Sequence, residues 1–152
     1  MSSDDTGHHA RHLARPRTMY LLNQANQAIR SQLEQALRGL SLTGIQYTVL
    51  AIVGSRDGIS SAELSRRFFV TPQTMNEIVT GLEKRGLLRR EASAENRRIL
   101  TASLTTEGEE MLKACDAIAD EIEAASLKGL GEADLQELRR ILRLLLIDLR
   151  GG

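Results

Sequence analysis

The chain has 152 residues, the usual length of one domain with a sizeable core, and a formal net charge of zero at neutral pH. Only 3% of its residues are aromatic and none is tryptophan, which disfavours a sugar-binding or base-stacking site. A single cysteine excludes an internal disulfide framework, and the longest apolar run, Leu144 to Ile147, is far too short to span a membrane.

Residues 1–16 are polar and are predicted to form a flexible arm. His8, His9 and His12 lie close enough together to raise the question of a metal site. No cysteine lies near them, and no regular structure that would fix ligand geometry is predicted, so a flexible tail without metal is the favoured interpretation. The segment also lacks the apolar core of a signal peptide, and we therefore expect a cytoplasmic protein.

Two helices are predicted before the central part of the chain. The first runs from Thr18 to about Leu37, where apolar residues recur with a helical period. The second begins at Thr43, because Thr43 and Gln46 have the spacing of a capping box. A turn cluster at residues 54–58 ends this second helix.

The segment from Ile59 to Thr105 is predicted to form a helix, a turn, a second helix and a β-hairpin. Ser60 and Glu63 have the spacing of a capping box at the start of the first of these helices. The second of them begins after Thr71, an N-cap residue. Its first helical position is Pro72, where the missing N–H costs nothing.

The hairpin follows Gly86, which ends the second of these helices. Two short alternating segments flank a charged loop that contains Arg97 and Arg98. Two helices joined by a tight turn and followed by a basic hairpin form a winged helix-turn-helix. In that arrangement the second helix enters the major groove of DNA, and arginines of the loop enter the minor groove. A plain scaffold with a solvated arginine loop is the alternative.

The distribution of charge supports DNA binding although the net charge is zero. Residues 60–100 contain eight basic and five acidic side chains, whereas residues 105–152 contain six basic and eleven acidic ones. A positive field on the segment that contains the two helices and the hairpin attracts DNA even though the net charge of the whole chain is zero. The residues predicted to contact double-stranded DNA are Ser60, Ser61, Ser65, Arg66, Thr71, Gln73, Thr74, Asn76, Glu77, Thr80, Lys84, Arg85, Arg97 and Arg98.

Two long helices are predicted after the hairpin. One is capped by Thr105 and runs to about Leu127, and the other runs from about Glu132 to Leu149. The last helix carries too much apolar surface for an exposed terminal helix, so it needs the first helix and a second copy of the protein as partners. The predicted dimer contacts are Leu21, Leu138, Leu142, Leu145 and Leu149.

An ordered set of short motifs runs through the chain. These motifs are Leu42-Thr43 with Gln46-Tyr47, Ala62-Glu63-Leu64, Leu82-Glu83-Lys84-Arg85-Gly86-Leu87, Asn96-Arg97-Arg98, and Leu104-Thr105 with Gly108. In this order they resemble the MarR family of bacterial transcriptional regulators. The resemblance implies a mainly α fold with a small β-hairpin wing. A single domain would span residues 17–152. It would contain a winged helix module at 42–104, called the reading module below, and dimerisation helices at 17–40 and 105–150.

The resemblance also implies a function. Members are homodimers that bind pseudo-palindromic operators, mostly as repressors, and many are released by small phenolic or aromatic acids. No cofactor, metal or membrane is implied. The ligand site would lie between the reading module and the dimer helices, although each candidate could equally be a surface residue. The candidates are Arg17, Tyr20, Asn23, Gln24, Arg30, Gln46 and Tyr47.

The sequence departs from the family pattern at three places. Asn96 replaces the aspartate that would brace Arg98 in the wing. Glu77 puts a carboxylate in the reading helix, which is unfavourable near phosphates unless it accepts from a cytosine amino group or pairs within the protein. The reactive cysteine of the oxidation-sensing branch is missing near the N-terminus, and Cys115 is predicted to be a buried, inert thiol.

Two other functions compete with that of a transcriptional regulator, namely a small-molecule carrier and an enzyme. A dimeric small-molecule carrier that no longer binds DNA is disfavoured because Gln73, Lys84, Arg97 and Arg98 are retained. An enzyme is disfavoured because the chain has no Ser-His-Asp order, no phosphate-cradling glycine loop and no ordered Cys/His ligand set. The effector, the operator and the direction of regulation remain open.

Overall fold

The computed structural model describes residues 16–56 and 58–151, and within them helices dominate. The predicted arm up to residue 15, with His8, His9 and His12, lies outside the described residues. The mainly α fold class with a small hairpin is confirmed. The helices are α1 (Thr18–Leu37), α2 (Gly44–Gly54), α3 (Ser61–Phe68), α4 (Pro72–Lys84), α5 (Thr106–Ser126) and α6 (Glu132–Arg150), and the strands are β1 (Ile59–Ser60), β2 (Leu88–Ala92) and β3 (Leu100–Leu104).

Local capping explains where the helices of the reading module begin. Thr43 with Gln46, and Ser60 with Glu63, form the reciprocal capping boxes predicted from their spacing. The Thr71 side chain caps α4, in which proline occupies the first turn. These short-range bonds satisfy N–H groups that have no partner inside the helix, and so they set the starting residues of α2, α3 and α4.

The sheet has three antiparallel strands in the order β1-β3-β2. In the hairpin, Leu88 lies opposite Leu104 and Ala92 lies opposite Leu100. The strand β1 was not predicted. It pairs only two residues with β3, and so short a segment shows no alternation that could reveal it. This strand anchors the start of α3 to the wing.

The core lies where α2, α3 and α4 pack against the sheet. The predicted apolar stripe of α4 is buried at Met75, Val79 and Leu82. Burial of such side chains is worth roughly 1.5–3 kcal/mol each, which makes them the main support of the reading module. Other fully buried side chains are Leu37, Val49, Leu50, Val53, Ile59, Leu64, Leu88 and Cys115.

The long helices outside the module bury far less of their apolar surface. Leu37 is the only fully buried residue of α1, and α6 contains none. Ile147 of α6, for example, is 66% exposed. A 3₁₀ helix, Arg38–Leu40, was not predicted and links α1 to α2. No single described helix is long and apolar enough to cross a membrane; α1 with its 3₁₀ extension reaches that standard only together with α2, across a bend of 81°.

Candidate nucleic-acid interface

The face of α4 that is turned away from the core is polar. Met75, Val79 and Leu82 point into the core, while Gln73 and Glu77 are exposed. Thr74, Asn76 and Lys84 are also exposed, and Thr80 is half-buried. This outward face carries amide, hydroxyl and carboxylate groups along two turns. Their donors and acceptors can pair with the acceptors and donors on the base edges in a major groove.

The first turn of α4 is held by two threonines. Thr71 Oγ1 accepts a hydrogen bond from Thr74 N at 3.1 Å and donates one to Thr74 Oγ1 at 2.9 Å. Thr71 therefore serves mainly as the helix cap. The Thr74 hydroxyl proton and the Gln73 amide remain as exposed groups at the N-terminal end of the helix, which is the end that enters the groove in a helix-turn-helix.

The helix α3 presents only part of the predicted phosphate contacts. Arg66 is exposed and Ser61 half-exposed, whereas Ser60 is used in the capping box. The structure corrects the prediction for Ser65, which is only 4% exposed. Its hydroxyl donates to the carbonyl oxygen of Ala62 at 2.8 Å, and this inward bond removes it from the surface.

Arg85 also differs from its predicted phosphate contact. Its Nη1 donates to the carbonyl oxygen of Ser41 at 2.6 Å, and its Nη2 donates to that of Leu40 at 3.1 Å. The side chain thus ties the end of α4 to the link between α1 and α2. This contact spans more than forty positions of sequence, and no local pattern could have revealed it.

The tip of the wing carries two exposed arginines, Arg97 and Arg98. Asn96 Oδ1 accepts a hydrogen bond from the backbone N–H of Arg98 at 3.1 Å. Asn96 shapes the backbone of the loop, as asparagines commonly do in turns, although it forms no ion pair with the guanidinium.

Arg90 is the residue that the sequence analysis missed. Its Nε and Nη2 donate to Glu83 Oε2 at 3.0 and 2.7 Å, its Nη1 donates to Asn76 Oδ1 at 2.9 Å, and its Nη2 donates also to Thr80 Oγ1 at 3.1 Å. We call these four residues the Arg90 cluster. A signal was available, since Asn76, Thr80 and Glu83 are polar residues spaced four and three apart on one helix face.

A cavity of about 450 Å³ lies between α1, α2 and the end of α3. Of the seven predicted ligand residues, only Arg30 lines it. The Glu34 carboxylate at its wall accepts a hydrogen bond from Gly44 N at 2.9 Å and so caps α2. The lining consists of Asn26, Ile29, Arg30, Leu33, Glu34, Gly44, Ile45, Thr48, Phe68 and Val70.

The other predicted ligand residues lie elsewhere. The Tyr47 hydroxyl donates to Asp116 Oδ1 at 2.8 Å, and burial together with this bond to a carboxylate raises the pKa of Tyr47 well above its usual range. Gln46 is occupied in the capping box of α2. Four residues are exposed and do not line the cavity. They are Arg17, which directly precedes α1, and Tyr20, Asn23 and Gln24 on the first half of α1.

The predicted dimer residues lie at separate positions along α1 and α6. Leu21, Leu142 and Leu149 are exposed, and Leu138 and Leu145 are half-buried. Leu138 and Leu142 also line a mostly apolar cavity of about 350 Å³ between α1, α5 and α6. Apolar side chains are therefore present on both long outer helices, as a dimer interface requires.

Cys115 is the single cysteine of the chain and lies on α5. Cys115 is fully buried on α5, and burial raises the pKa of its thiol, so the predicted inert cysteine is supported. Among residues 16–56 and 58–151, no group of three histidine, cysteine, aspartate or glutamate side chains is placed to hold a metal ion.

Comparison with known proteins identifies the family. A sequence model of the MarR family matches residues 40–99. The HTH-type transcriptional repressor Rv2887 of Mycobacterium tuberculosis is 35% identical over 123 residues, which are 81% of this chain and 88% of that protein. The chain belongs to the MarR family. The prediction of a transcriptional regulator rather than an enzyme is thereby confirmed.

Further relatives agree with this assignment. The transcriptional regulator HosA of Escherichia coli is 36% identical over 97 residues, which are 64% of this chain and 71% of HosA. The crystal structure of Rv2887 with p-aminosalicylic acid has a TM-score of 0.71 at 33% identity and covers 86% of this chain and 98% of that one. CouR of Rhodococcus jostii RHA1, bound to p-coumaroyl-CoA, has a TM-score of 0.76 at 21% identity over 84% and 90% of the two chains, and shows the shared fold.

Proposed function

We propose that this MarR-family regulator is a homodimeric repressor that binds a pseudo-palindromic operator and is released by a small organic acid. The observation that carries the proposal is the exposed polar face of α4 beside the exposed arginines of the wing. A reading helix and a basic wing on one side of a module match the major groove and the adjacent minor groove.

Base reading is assigned to the N-terminal half of α4. Gln73 and Thr74 are exposed at its first turn, and Glu77 follows one turn later. Glu77 takes part in none of the ion pairs among the described residues, so its carboxylate is free to accept from a cytosine amino group. This is the role that makes a carboxylate tolerable beside DNA phosphates.

Phosphate and minor-groove contacts are assigned to the cations that remain exposed. Arg66 and Lys84 flank the reading face, and Arg97 and Arg98 extend from the wing. Contacts of this kind supply affinity and register, whereas base contacts supply sequence preference. Ser65 is left out of this set because it is buried, and Arg85 because its guanidinium already donates to backbone carbonyl oxygens of the protein.

Dimerisation is assigned to α1 and α6, which leave apolar side chains such as Leu21, Ile147 and Leu149 exposed. A second copy of the chain would cover them, and a twofold dimer places two reading helices against two half-sites. The pseudo-palindromic operator follows from that symmetry.

The effector is assigned to the cavity between α1, α2 and the end of α3. Arg30 offers a cation, and Ile29, Leu33 and Phe68 offer apolar surface, a combination that suits the carboxylate and ring of an aromatic acid. Structures of the relative Rv2887 contain salicylic acid and p-aminosalicylic acid, and that of CouR contains p-coumaroyl-CoA. Salicylic acid is therefore the first probe to test.

The proposal is tested by fluorescence-anisotropy titration of the intergenic DNA upstream of the protein's own gene. Wild type is expected to bind, and millimolar salicylic acid is expected to weaken binding. Gln73→Ala should cost about 1–3 kcal/mol at one position of the site. Gln35→Ala, an exposed change on α1, is the matched control and should bind as wild type does. A protein that binds salicylic acid but no DNA would instead be the small-molecule carrier.

A further inference from the structure

Resting on the proposed function, we infer that Arg90 is a positioning residue that sets Asn76 as a hydrogen-bond donor toward the bases. The Arg90 side chain is only 17% exposed and connects strand β2 to three residues on one face of α4. Four of its five N–H groups are engaged in the Arg90 cluster, so Arg90 has little left to offer a phosphate.

The orientation of the Asn76 amide follows from the chemistry of its neighbour. A guanidinium carries donors and no acceptor, so the Asn76 atom that faces Arg90 at 2.9 Å has to be the oxygen. The NH₂ group is then the part of the Asn76 amide that has no partner among the described residues, and Asn76 is exposed. The oxygen is held toward the wing strand.

Arg90 also bonds the oxygen of the Thr80 hydroxyl, as it bonds the oxygen of Asn76. Thr80 Oγ1 accepts from Arg90 Nη2 at 3.1 Å, and its hydroxyl proton has no partner among the described residues, so this proton can be donated to a ligand. The face formed by Asn76 and Thr80 therefore presents donors, whereas Glu77 beside it presents an acceptor. Glu83 neutralises the guanidinium at 2.7 Å and keeps it in place.

A donor face has a definite preference among base pairs. Asparagine reads adenine by using its oxygen and its NH₂ group together, and this pairing requires an oxygen that is free to face the base. The bond to Arg90 leaves the oxygen a second lone pair but directs the oxygen toward strand β2, so Asn76 does not present both groups to one base. Its NH₂ donors match guanine, whose N7 and O6 are both acceptors, and they mismatch the cytosine amino group. We expect Asn76 to select guanine over cytosine at one position of each half-site.

The test begins with selection of binding sites from random double-stranded DNA by the full-length wild-type protein. The selected site and all its single-base variants are then titrated at fixed salt with four proteins. Asn76→Asp keeps an oxygen toward Arg90 but removes the donors, and it should lose the guanine preference by roughly tenfold. Arg90→Lys keeps the charge but cannot hold Asn76, Thr80 and Glu83 together, and it should relax the same position. Arg89→Lys is the control, because Arg89 lies on the same strand, is exposed, and among the described residues forms an ion pair with Glu91 and with no member of the Arg90 cluster.

The outcomes separate the two levels of the argument. If wild type enriches no sequence, the proposed function fails and this inference fails with it. If wild type enriches a site but Asn76→Asp keeps the wild-type preference at every position, the inference is overturned and the proposed function stands. An Asn76→Asp protein whose affinity falls by the same factor for every sequence also overturns the inference, because the base preference would then not depend on the Asn76 donors. An Arg90→Lys protein that folds by circular dichroism and keeps the wild-type preference at every position also overturns the inference. Should Arg90→Lys fail to fold, Glu83→Gln takes its place, because it weakens the anchor of the guanidinium, and it should relax the same position.

Discussion

At the scale of single residues, Asn96 in the wing stands where the family pattern has an aspartate, but it bonds a different part of Arg98. The Asn96 oxygen bonds the backbone N–H of Arg98 and not its guanidinium. The loop is therefore shaped, but the Arg98 side chain is left without a brace, and rotamer entropy is lost when it is ordered on DNA.

The prediction at this scale concerns Arg98. Arg98→Ala should weaken DNA binding and should reduce the preference for A·T-rich flanks, because a narrow A·T minor groove attracts an inserted arginine. Asn96→Asp should gain on the order of 1 kcal/mol by pairing with the exposed guanidinium. Anisotropy titrations on operators with A·T or G·C flanks measure both effects. Arg56→Ala, which removes an exposed arginine from the turn after α2, is the control. An Arg98→Ala protein that binds both operators as wild type does would remove the wing from the mechanism.

At the scale of elements, local chemistry explains what could be predicted from the sequence. The starts of α2, α3 and α4 were predicted correctly because a cap involves residues three positions apart. The contacts of Arg85 and Arg90 were not predicted, because they join elements whose relative placement depends on packing of the whole core. The residues that line the cavity between α1, α2 and the end of α3 could not be predicted for the same reason, because the turn of α1 that faces α2 is set by tertiary packing.

The prediction at this scale concerns the capping box of α3. Hydrogen bonds from Ser60 to the Glu63 carboxylate hold the pKa of Glu63 below its ordinary value of 4.5. A lowered folded-state pKa means that the ionised carboxylate stabilises the protein above the unfolded pKa and that this contribution is lost as the pH falls through the folded-state pKa.

Thermal melts of wild type and Glu63→Gln test this effect. At neutral pH the variant should melt lower, since an amide accepts the same bonds more weakly than a carboxylate and does not complement the helix dipole. Below the folded-state pKa of Glu63 the two proteins should converge. Glu110→Gln, on the exposed side of α5, is the control, and its melting temperature should not differ from that of wild type in a way that disappears at low pH. Equal melting temperatures for wild type and Glu63→Gln at neutral pH would contradict the role of the cap.

At the scale of the whole molecule, the fold divides into a module that buries its own core and two long helices that do not. The residues at the junction of α2, α3, α4 and the sheet are fully buried. By contrast α6 has no buried residue, and Leu144, Leu146, Ile147 and Leu149 are exposed along it. An amphipathic helix of this kind needs a further surface to cover it, and α1 of a second copy is the surface that we propose.

The prediction at this scale is that one added charge on α6 separates the protomers and abolishes tight DNA binding. Leu142→Glu places a carboxylate on the apolar surface of α6, whereas Gln136→Glu adds the same charge on its exposed polar side. Wild type and Gln136→Glu should have dimeric masses in light scattering at micromolar concentration, and Leu142→Glu should be monomeric. Because a monomer engages only one half-site, its affinity should fall by roughly 100-fold or more. A monomeric wild type would refute this interface, and so would a Leu142→Glu protein that stays dimeric and binds DNA normally.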